Sequence, residues 1–455
     1  MRKIFLLAQF LVLSLLLSSC STLLFWQRPQ YIKANGTQLE YKGRPYYFTG
    51  TNLWYGCYLG SKGPGGDRAR LRKELDRLKS MGVTNLRILG GSNLSYLTNS
   101  LKPAIQTKPG VFNEQLLDGL DYLLSEMHKR GMHAVIFLTN YWQWSGGMAQ
   151  YNDWANGGGG VRPSVSGYPA FMNYAASFYG NKKAETLFYN YVYDLLNRKN
   201  KYDGFYYRDD PTIMAWELAN EPRPGINADH IDRWYHWIDS TAHYIHILDP
   251  NHLVTTGSEG TIGTLQDSTY FLKGFRTKYI NYLTFHLWPK NWGWFNAKDI
   301  SGTYDSTVYK ALNYIGLQIH LSRELNKPIV MEEFGLPRDN EAYDPGTPTT
   351  ARDRYFKTIL GAVYDSAAAG APIVGSNFWA WGGEGRPQHA DHVWRPGDPY
   401  MGDPPQEPQG LNSVYNTDTS TIAVLKQSAA EMTGLDKSEK LVKREAIAES
   451  SRQGS

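Results

Sequence analysis

Residues 213–224 read IMAWELANEPRP, an apolar run that passes directly into an amide, a carboxylate and a proline. The apolar part predicts a strand that is buried on both faces, as in the parallel sheets of α/β proteins. Asn220 and Glu221 then lie where this strand leaves its sheet. Because such strand ends often carry function, Glu221 is a candidate for chemistry as well as for structure.

Similar apolar runs recur about eight times along the chain, with helix-period segments between them. The predicted strands are residues 46–52, 84–89, 133–140, 213–220, 253–257, 282–288, 328–335 and 373–381. The residues that share a face of a predicted helix are Leu71, Leu75 and Leu78, then Leu116, Leu120, Leu123 and Met127, then Trp234, Trp237 and Ile238. Strand and helix in alternation predict a parallel sheet, since parallel neighbours need a crossover. Eight such units favour a single-domain (β/α)8 TIM barrel with expanded βα loops over an open doubly wound sheet.

Polar and aromatic residues collect at the carboxyl ends of the predicted strands. In a barrel these ends meet at one face, which is where active sites form. Reading the strand ends in order gives Asn52, Trp54, Arg87, Asn140, Trp142, Asn220, Glu221, His286, Trp288, Glu333, Trp379 and Trp381. Two long segments rich in Gly and Pro, residues 155–169 and 382–410, are predicted as irregular loops. They form either the walls of a cleft at this face or plain surface loops.

Composition narrows the class of ligand. Aromatic residues make up 14% of the 455 residues, with 32 Tyr and 14 Trp. Rings with apolar faces and hydrogen-bonding edges suit the binding of sugars, although an aromatic-rich core is the alternative. The net charge of +4 comes without a long basic run, so the sequence gives no indication of nucleic-acid binding.

Residues 1–20 read MRKIFLLAQFLVLSLLLSSC, with a basic start, an apolar stretch and small residues before Cys20. This pattern predicts a secretory signal peptide, because it is too short and wrongly flanked for a membrane-spanning helix. LSSC, residues 17–20, resembles a bacterial lipobox, in which Cys20 is lipidated and becomes the mature amino terminus. Ordinary cleavage nearby is the alternative. We therefore expect an exported bacterial lipoprotein, anchored by acyl chains at the outer membrane or cell surface, or held in the periplasm.

The remaining chain is predicted to form one domain. We expect a linker at residues 21–30, a barrel domain at 31–435 and a charged, disordered tail at 436–455. The last helix is predicted at residues 419–432. Cys57 is the only cysteine in the domain, which excludes an intrachain disulfide and a cysteine-built metal site, and we expect it to be a small buried residue.

A pair of carboxylates suggests the chemistry. Glu332 and Glu333 end the seventh predicted strand, and alternation along a strand lets only one of them face the barrel axis. Glu221 on strand four and Glu333 on strand seven then approach each other across the barrel mouth. Glycoside hydrolysis needs such a pair, with one acid to protonate the leaving oxygen and one carboxylate to attack or to activate water. The alternative for either residue alone is a buried ion pair, for example with Arg87.

These residues also carry a family resemblance. Asn-Glu-Pro after strand four and Glu-Phe-Gly after strand seven resemble glycoside hydrolase family 5, within the clan of retaining barrel glycosidases. The likeness extends over about residues 30–432. The motifs that are similar to the endo-β-1,4-mannanases of this family are GTNLWYG (50–56), SGGMAQY (145–151), WELANEPRP (216–224) and NFWAWGG (377–383).

The resemblance implies a role for each matching residue. Glu221 matches the acid/base and Glu333 the nucleophile, so that Glu332 would point away. Asn220 matches the amide that holds the 2-hydroxyl of the sugar. Arg87 matches the arginine that orients the nucleophile and lowers its pKa, which keeps it ionised.

Further members of the site follow from the same resemblance. His286 matches the histidine after strand six, and Trp379 matches the platform under the sugar at the cleavage point. The other substrate-binding candidates are Trp142, Trp288, Trp54, Asn140 and Trp381. One position departs from the family. The chain has Trp288 two residues after His286, where the family has a tyrosine whose hydroxyl touches the nucleophile, and this leaves open how Glu333 is held on that side.

The implied function is that of a retaining endo-β-1,4-mannanase that cleaves internal bonds of mannan, glucomannan or galactomannan by double displacement. The expected separation of the two carboxyls is about 5–5.5 Å. No cofactor and no metal are expected, the partner is a β-mannan chain, and we expect a monomer. Two alternatives stay open. One is another family 5 glycosidase, either a β-1,4-glucanase or an exo-β-mannosidase. The other is a non-catalytic glycan-binding lipoprotein, which the combination of Glu221, Glu333, Asn220 and Arg87 disfavours.

Overall fold

The computed structural model describes residues 29–97 and 99–435. Eight parallel strands form a nearly closed barrel, which confirms the predicted (β/α)8 TIM barrel. We number them β1 Phe48–Asn52, β2 Asn85–Leu89, β3 His133–Phe137, β4 Ile213–Glu217, β5 Leu253–Thr255, β6 Leu283–Leu287, β7 Ile329–Phe334 and β8 Ile373–Phe378. Hydrogen bonds join them in the order β5-β4-β3-β2-β1-β8-β7-β6. Each predicted strand contains one observed strand, trimmed at its ends.

The barrel closes between β5 and β6 through two side-chain hydrogen bonds and one backbone hydrogen bond. β5 is short, and Val254 N donates to Asn281 Oδ1 at 2.7 Å, while Asn281 N donates back to Val254 O at 2.9 Å. Thr255 Oγ1 donates to the carbonyl of Tyr282 at 2.9 Å. The last seam of the barrel therefore depends on Asn281 and Thr255 in place of a regular ladder.

Helices cover the outside of the barrel. They are α1 Gly56–Gly60, α2 Arg68–Ser80, α3 Glu114–Arg130, α4 Gly147–Asn156, α5 Pro163–Ala176, α6 Lys182–Leu196, α7 Ile231–Leu248, α8 Ser268–Phe275, α9 Ile300–Leu325, α10 Thr350–Ala368 and α11, residues 419–435. The predicted apolar faces of α2, α3 and α7 are buried in the core. Side chains that cap helix amino termini include Asp67, Asn113, Asn181, Asp267 and Asp299. Capping by Asp or Asn satisfies backbone N–H groups that have no partner within the helix.

The two long loops differ in structure. The prediction of an irregular loop is wrong for residues 155–156, which end α4, and for residues 163–169, which belong to α5. Pro163 opens this helix, and Gly167, with φ of 78°, together with Pro169 bends it. These breaks remove the regular spacing by which a helix is recognised in sequence. Residues 382–410 are irregular as predicted, apart from the end of a short strand, Trp381–Gly383, that pairs with Val414–Tyr415.

A small antiparallel sheet, Lys33–Asn35, Gln38–Tyr41 and Arg44–Pro45, covers the amino-terminal end of the barrel. Ile32 and Leu39 pack there on barrel residues, including Phe48, Val135, Leu253 and Val374. The sequence reading assigned no structure to this segment. It fills the end of the barrel opposite the site.

Several predictions fall outside the described residues. They are the signal peptide, lipidation at Cys20, most of the linker and the tail at 436–455. Cys57 is buried, as predicted. Among the residues that the structure describes, no helix combines the length and the apolar character that crossing a bilayer needs.

Candidate active site

The two predicted catalytic glutamates meet at the carboxyl end of the barrel. Glu221 follows β4, Glu333 lies within β7, and the two residues are 8% and 3% exposed. One oxygen of each and a ring nitrogen of His286 all lie within 4.8 Å of one another. An inverting glycosidase needs about 6.5–9.5 Å between its carboxyls, so this spacing fits the retaining arrangement.

Arg87 of β2 is buried and organises the floor of the site. Its Nη1 donates to Glu333 and, at 3.1 Å, to Asn52 Oδ1. Its Nη2 donates to Asn220 Oδ1 at 2.8 Å, and its Nε and Nη2 form two bonds of 2.7 and 2.6 Å to Glu217. A planar guanidinium that is held on several sides fixes both the nucleophile and the amide beside it.

The prediction that Glu332 points away is wrong. Its Oε2 lies 3.7 Å from Arg87 Nε and 3.8 Å from His286 Nε2, and the residue is buried. The ladder between β6 and β7 skips this residue, because Phe285 pairs with Met331 and the next residue, His286, pairs with Glu333. Such a bulge interrupts strand alternation, so both neighbouring glutamates reach the same guanidinium.

Glu221 is held in an unusual backbone conformation. Its φ is 52°, in the left-handed region that costs a residue other than glycine about 1–3 kcal/mol. The indole of Trp142 donates to its Oε2, and its backbone N–H donates to Gly257 O at 2.9 Å. These contacts direct the carboxyl towards Glu333.

His286 lies between the two carboxyls as a neutral ring. Its Nδ1 is 2.7 Å from Glu221 Oε1 and 3.2 Å from Glu333 Oε2. Burial, together with the positive charge of Arg87, lowers the pKa of His286 to about 3. We assign the single proton to Nδ1, because this nitrogen faces both carboxyls while Nε2 has no hydrogen-bond partner among the described residues, so that the imidazole donates to the pair without adding charge.

Trp288 takes the place of the family's tyrosine as a hydrogen-bond donor to Glu333. Its indole N–H donates to Glu333 Oε2 at 3.0 Å, so an indole supplies the hydrogen bond on this side. The glycine of Glu-Phe-Gly makes room for it. A Cβ on Gly335 would lie 2.9 Å from the Trp288 ring and 3.0 Å from the carbonyl of Trp379.

The electrostatics couple the two carboxyls, and their hydrogen-bond partners separate their roles. Burial raises the pKa of Glu221, and the Arg223 guanidinium opposes this. Burial raises the pKa of Glu333 well above its usual value, although the charge of Arg87 opposes this and the charge of Glu221 adds to it. Two carboxyls this close do not both ionise readily, so they share a proton. Because the charged donor Arg87 bonds directly to Glu333, we assign the negative charge to Glu333 and the proton to Glu221.

A cavity of about 470 Å³ opens over this pair. The predicted residues that line it are Trp142, Asn220, Glu221, Trp288, Glu333 and Trp379. Arg87 and His286 are buried behind them. Asn140 is also buried, and its Oδ1 accepts hydrogen bonds from Asn220 Nδ2 at 3.1 Å and Trp142 N at 2.9 Å. Asn140 therefore orients residues that line the cavity.

Two predicted substrate-binding tryptophans do not reach the cavity. Trp54 is buried and donates to the carbonyl of Gly402 at 2.8 Å. Trp381 is buried and donates to Glu74 Oε2 at 2.9 Å. Each lies close to a strand end, but chain that is distant in sequence covers it, near Gly402 for Trp54 and at Glu74 of α2 for Trp381. Both residues support the walls of the cavity from behind. Their positions do not place them in contact with a substrate in the cavity.

Residues 399–413 form one side of the cavity, and we call them the wall segment. Asp403 organises it, since its carboxylate accepts from Gly410 N at 2.8 Å, Asn412 N at 2.7 Å and Ser413 Oγ at 2.6 Å. The segment carries Glu407 to the cavity. Glu407 Oε2 is buried and has no hydrogen-bond partner among the described residues. Burial, with the charges of Asp403 and Glu221, raises the pKa of Glu407 to about 8.

The sequence reading missed other residues of the cavity. They are Trp144, Tyr168, Arg223, Glu259, Ile262, Asn291, Trp292, Pro404, Gln406 and Glu407. Arg223 Nη2 donates to Glu259 Oε1 at 2.6 Å, and its guanidinium lies 5.0 Å from the centre of the Trp142 ring. Glu259 follows β5, so it would have been found by including the end of β5 among the strand ends that were inspected for polar residues. Glu407 lies between prolines and has no periodic signal.

The carboxyl pair and His286 are the residues whose spacing would suit a metal ion within the described chain. Their oxygens already accept hydrogen bonds from Arg87, Trp142 and Trp288. The guanidinium of Arg87 also opposes a second cation at this position. We therefore assign the cluster to acid–base and nucleophilic chemistry and not to metal binding.

A parallel barrel with a close carboxyl pair at its mouth, one acid protonated and the other held by arginine, defines the class of retaining glycosidases. The family model described as GH family 5 beta-mannosidase-like matches residues 29–437. This chain belongs to that family and is a glycoside hydrolase, which confirms the resemblance read from the sequence.

Individual relatives agree with this assignment. The chain is 31% identical over 362 residues to a putative mannan endo-1,4-beta-mannosidase 9 of Oryza sativa subsp. japonica, covering 77% of this chain and 81% of that protein. It is 30% identical over 366 residues to mannan endo-1,4-beta-mannosidase 7 of Arabidopsis thaliana, covering 77% of each. A crystal structure of a glycoside hydrolase family 5 mannosidase from Rhizomucor miehei superposes with a TM-score of 0.83 at 34% identity, covering 90% of this chain and 99% of that one. A mutant of that mannosidase has been solved in complex with mannosyl-fructose.

Proposed function

We propose that this protein is a retaining endo-β-1,4-mannanase, which hydrolyses internal β-1,4-mannosidic bonds of mannan, glucomannan or galactomannan. The observation that carries the proposal is the pair of Glu221 and Glu333, whose carboxyl oxygens lie within 4.8 Å of each other in a cavity lined by tryptophan. The choice of mannan comes from the plant relatives, which are named mannan endo-1,4-beta-mannosidases.

In the first step, a carboxylate oxygen of Glu333 attacks the anomeric carbon of the sugar above it. The bond from this carbon to the glycosidic oxygen breaks, and that oxygen takes the proton of Glu221. Formation of the ester removes the negative charge of Glu333. Because a neighbouring negative charge raises the pKa of a carboxyl, its loss lowers the pKa of Glu221 and prepares Glu221 to act as a base.

In the second step, Glu221 takes a proton from water, and the water oxygen attacks the same carbon. The ester bond to Glu333 breaks, which returns both carboxyls to their starting states and retains the configuration of the sugar. Asn220 has one amide N–H left after its bond to Asn140, and this proton is placed to hold the 2-hydroxyl. Trp379 lines the cavity beside the Trp288 ring, with centroids 5.9 Å apart, and offers a platform for the sugar.

The test is product profiling. The soluble chain from residue 21 onward is incubated separately with linear mannan, glucomannan, cellulose and xylan, and the released sugars are sized over time. We expect manno-oligosaccharides of mixed length to appear early from mannan, with little product from cellulose or xylan. A ladder of products from cellulose would show a glucanase, and inactivity on all four would favour a binding protein.

An exo-β-mannosidase is the second candidate, and the wall segment favours it. Its Gly402 covers Trp54 after β1, and its Tyr400 carbonyl accepts from Arg70 Nη1 at 2.8 Å. Within the described chain, no residue from the loops after β1 and β2 lines the cavity. A cavity closed on this side admits few sugars there, and the Rhizomucor miehei structure is likewise named a mannosidase. Release of mannose alone from the earliest time points would establish this candidate.

We also propose that the protein is an exported lipoprotein anchored through Cys20. The support is the signal-like start of the chain and the lipobox-like LSSC, residues 17–20. The full gene is expressed in a bacterium with a radiolabelled fatty acid, beside a Cys20→Ala variant. We expect label and membrane fractionation for the wild type and loss of both for the variant. An unlabelled wild type that is found only in the soluble fraction would exclude the anchor.

A further inference from the structure

Residues 157–170 form an exposed segment beside the active-site cavity, and we call them the flap. The flap joins α4 to α5 and includes the first turns of α5, and none of its residues is buried. Val165 is 77% exposed, the largest exposed fraction among the large hydrophobic residues of the described chain. Movement of the flap therefore exposes little apolar surface and opposes few core contacts.

The backbone of the flap is interrupted at two points. At its start, Gly157, Gly158 and Gly159 have φ values of 81°, 102° and 85°, and a Cβ on any of them would meet no atom within 4 Å. These glycines therefore serve the conformation and the freedom of the backbone and not close packing. Towards its end, Gly167 and Pro169 bend the helix. Breaks of this kind are typical hinge positions of loops that open and close over a site.

The chain on the two sides of the flap is joined by hydrogen bonds. Tyr174 Oη donates to Asp153 Oδ1, and Asn152 Nδ2 donates to the carbonyl of Tyr174 at 2.8 Å. These bonds connect α4 directly to the second half of α5, where Phe171 and Ala175 are buried. The flap can therefore move while the helices that flank it stay in place.

Two side-chain contacts hold the flap in its observed position. The guanidinium of Arg162 lies 4.5 Å from the ring centre of Tyr96, in the loop after β2. Gln143 Nε2, in the loop after β3, donates to the hydroxyl of Tyr168 at 3.0 Å. Arg162, Tyr96 and Tyr168 are exposed, and contacts between exposed groups are individually weak. They favour the observed position without locking it.

The flap also contacts the residue that donates to the acid/base. Tyr168 lines the cavity, and its ring packs edge-on against the ring of Trp142 with centroids 6.1 Å apart. The indole of Trp142 donates to Glu221. Because Trp142 is only partly buried, its orientation depends on neighbours such as Tyr168. The position of the flap and the hydrogen bond to Glu221 are thereby linked.

We propose that the flap is a gate over the active-site cavity, which opens to pass saccharide and whose closed position, seen in this structure, holds Trp142 against the acid/base Glu221. The inference rests on the proposed function for the identity of the saccharide and for the role of Glu221. Tyr168 is a positioning residue, because it acts on Glu221 through Trp142. Opening separates Tyr168 from Trp142, so that the leaving oxygen is protonated efficiently only after closure.

Hydrogen exchange followed by mass spectrometry measures the opening of the flap in the whole protein. We expect Arg162→Ala to speed the exchange of amides in residues 157–170 about two- to fivefold, because an exposed cation–π contact is lost. Mannotriose at saturating concentration should slow the same amides in the inactive Glu333→Ala variant. Arg354→Ala is the matched control, since Arg354 is exposed and lies 4.2 Å from the ring centre of Tyr304, outside the flap. Equal flap exchange in Arg162→Ala and Arg354→Ala would overturn the gate, as would bound mannotriose that leaves the exchange unchanged.

A pH profile of kcat/KM measures the link to Glu221. Burial raises the pKa of Glu221, while Arg223 and then the hydrogen bond from Trp142 oppose this. When Trp142 is held less well, the alkaline limb of the profile therefore moves to higher pH. For Tyr168→Ala we expect this movement together with a loss of kcat/KM of about tenfold, whereas Tyr168→Phe keeps the ring and should stay within about threefold with its limb in place. Both variants leave the other charged and titratable groups around Glu221 unchanged, namely Arg87, Arg223, Glu259, His286, Glu333 and Glu407.

The outcomes separate this inference from the proposed function. A loss of kcat/KM in Tyr168→Ala with an unmoved alkaline limb would overturn the link, since it would assign Tyr168 to contact with the sugar. Thermal unfolding checks that all variants are folded. A wild-type chain that cuts no mannoside would refute the proposed function, while the hydrogen exchange of the free protein would still support or overturn the opening of the flap.

Discussion

At the scale of single residues, the site depends on how the positive charge of Arg87 is shared among the neighbouring carboxyl groups. Arg87 bonds to Glu217 and Glu333, and Glu332 lies 3.7 Å away. Three ionised carboxylates around one buried guanidinium would leave uncompensated charge, which is costly away from water. Burial foremost, and then the charge of Glu217, raises the pKa of Glu332 well above its usual value. These effects favour the protonated form of Glu332, while Glu217 accepts two hydrogen bonds from Arg87 and is its closer partner.

Substitution by neutral glutamine should be tolerated at Glu332 but not at Glu217. Glu332→Gln keeps the shape and charge of the protonated acid, so we expect kcat/KM within about threefold of the wild type. Glu217→Gln removes the charge that holds Arg87 and should destabilise the fold by about 3–5 kcal/mol. Urea unfolding and kcat/KM on mannan check both variants. Equal effects of the two changes would contradict this division of charge.

The pH dependence follows from Glu221 and Glu333. Glu333 must be ionised, so kcat/KM falls as pH drops through its pKa. Glu221 must carry a proton, so kcat/KM falls again as pH rises through its pKa, which burial raises above the usual 4.5. Glu221→Gln should lose the alkaline fall and about 10²–10⁴-fold of the rate on mannan. On an aryl mannoside whose leaving group needs no proton, the first step should be nearly unchanged, and a variant that loses both substrates equally would refute the assignment.

Trp288 should act through its hydrogen bond to Glu333. Trp288→Phe keeps an aromatic ring but removes the donor, and a bond to a charged acceptor is worth about 1.5–3 kcal/mol. We expect kcat/KM to fall about 10–100-fold and its acidic limb to move to higher pH, because the ionised form of Glu333 loses a donor. A pH profile of this variant is the measurement. A fall in kcat/KM with no movement of the acidic limb would assign Trp288 to substrate packing.

The sequence predicts which residues lie at strand ends. It does not predict how neighbouring residues change the orientation or the exposure of those side chains. Glu221, Glu333, Asn220 and Arg87 follow from strand position and motif. The orientation of Glu332 does not, because it depends on a bulge between β6 and β7 that has no local signal. Trp54 and Trp381 were misplaced for a different reason, since distant chain covers them.

At the scale of elements, the wall segment contains no helix or strand and has a dense set of polar contacts. Its shape depends on Asp403, which binds backbone and side-chain donors across the segment. Strand periodicity predicts β1–β8 because those residues repeat an apolar pattern. It does not reach α5, the amino-terminal sheet or the wall segment, where turns and side-chain hydrogen bonds determine the path.

Removal of the Asp403 carboxylate should loosen this segment. We expect Asp403→Ala to unfold at lower temperature, to be cut by protease within residues 382–413, and to lose kcat/KM because one wall of the cavity loses its shape. Asp391→Ala is the matched control, since Asp391 pairs with Arg395 on the exposed surface, where ion pairs contribute about 0–1 kcal/mol. Similar protease sensitivity of both variants would show that Asp403 does not organise the segment.

At the scale of the whole molecule, the aromatic content serves two purposes that composition could not separate. Trp142, Trp144, Trp288, Trp292 and Trp379 line the cavity. Trp54, Trp216, Trp234, Trp237 and Trp381 are buried in the core. The two uses meet at the carboxyl end, where buried Trp54 packs on Trp144 with ring centroids 5.6 Å apart. The apolar residues of the small antiparallel sheet, in contrast, lie at the amino end, opposite the site.

Stability and catalysis should therefore separate along the barrel axis. Leu39 is 1% exposed beneath the barrel, and Leu39→Ala should destabilise the fold by about 2–5 kcal/mol. At temperatures where the variant is folded, we expect its kcat and KM to match the wild type. Chemical unfolding and steady-state kinetics test this, and a changed KM in a fully folded variant would show that the two ends are coupled.

The start of the described chain, just before the amino-terminal sheet, lies at the end of the barrel opposite the active site. Tyr31 donates to Asp209 O at 3.1 Å and packs on His252, both of which precede strands at the end of the barrel away from the site. A tether from the proposed lipid on Cys20 would join the barrel at that end. The catalytic mouth would then face outwards from the membrane, towards polymer too large to approach the bilayer, with the barrel itself acting as the spacer.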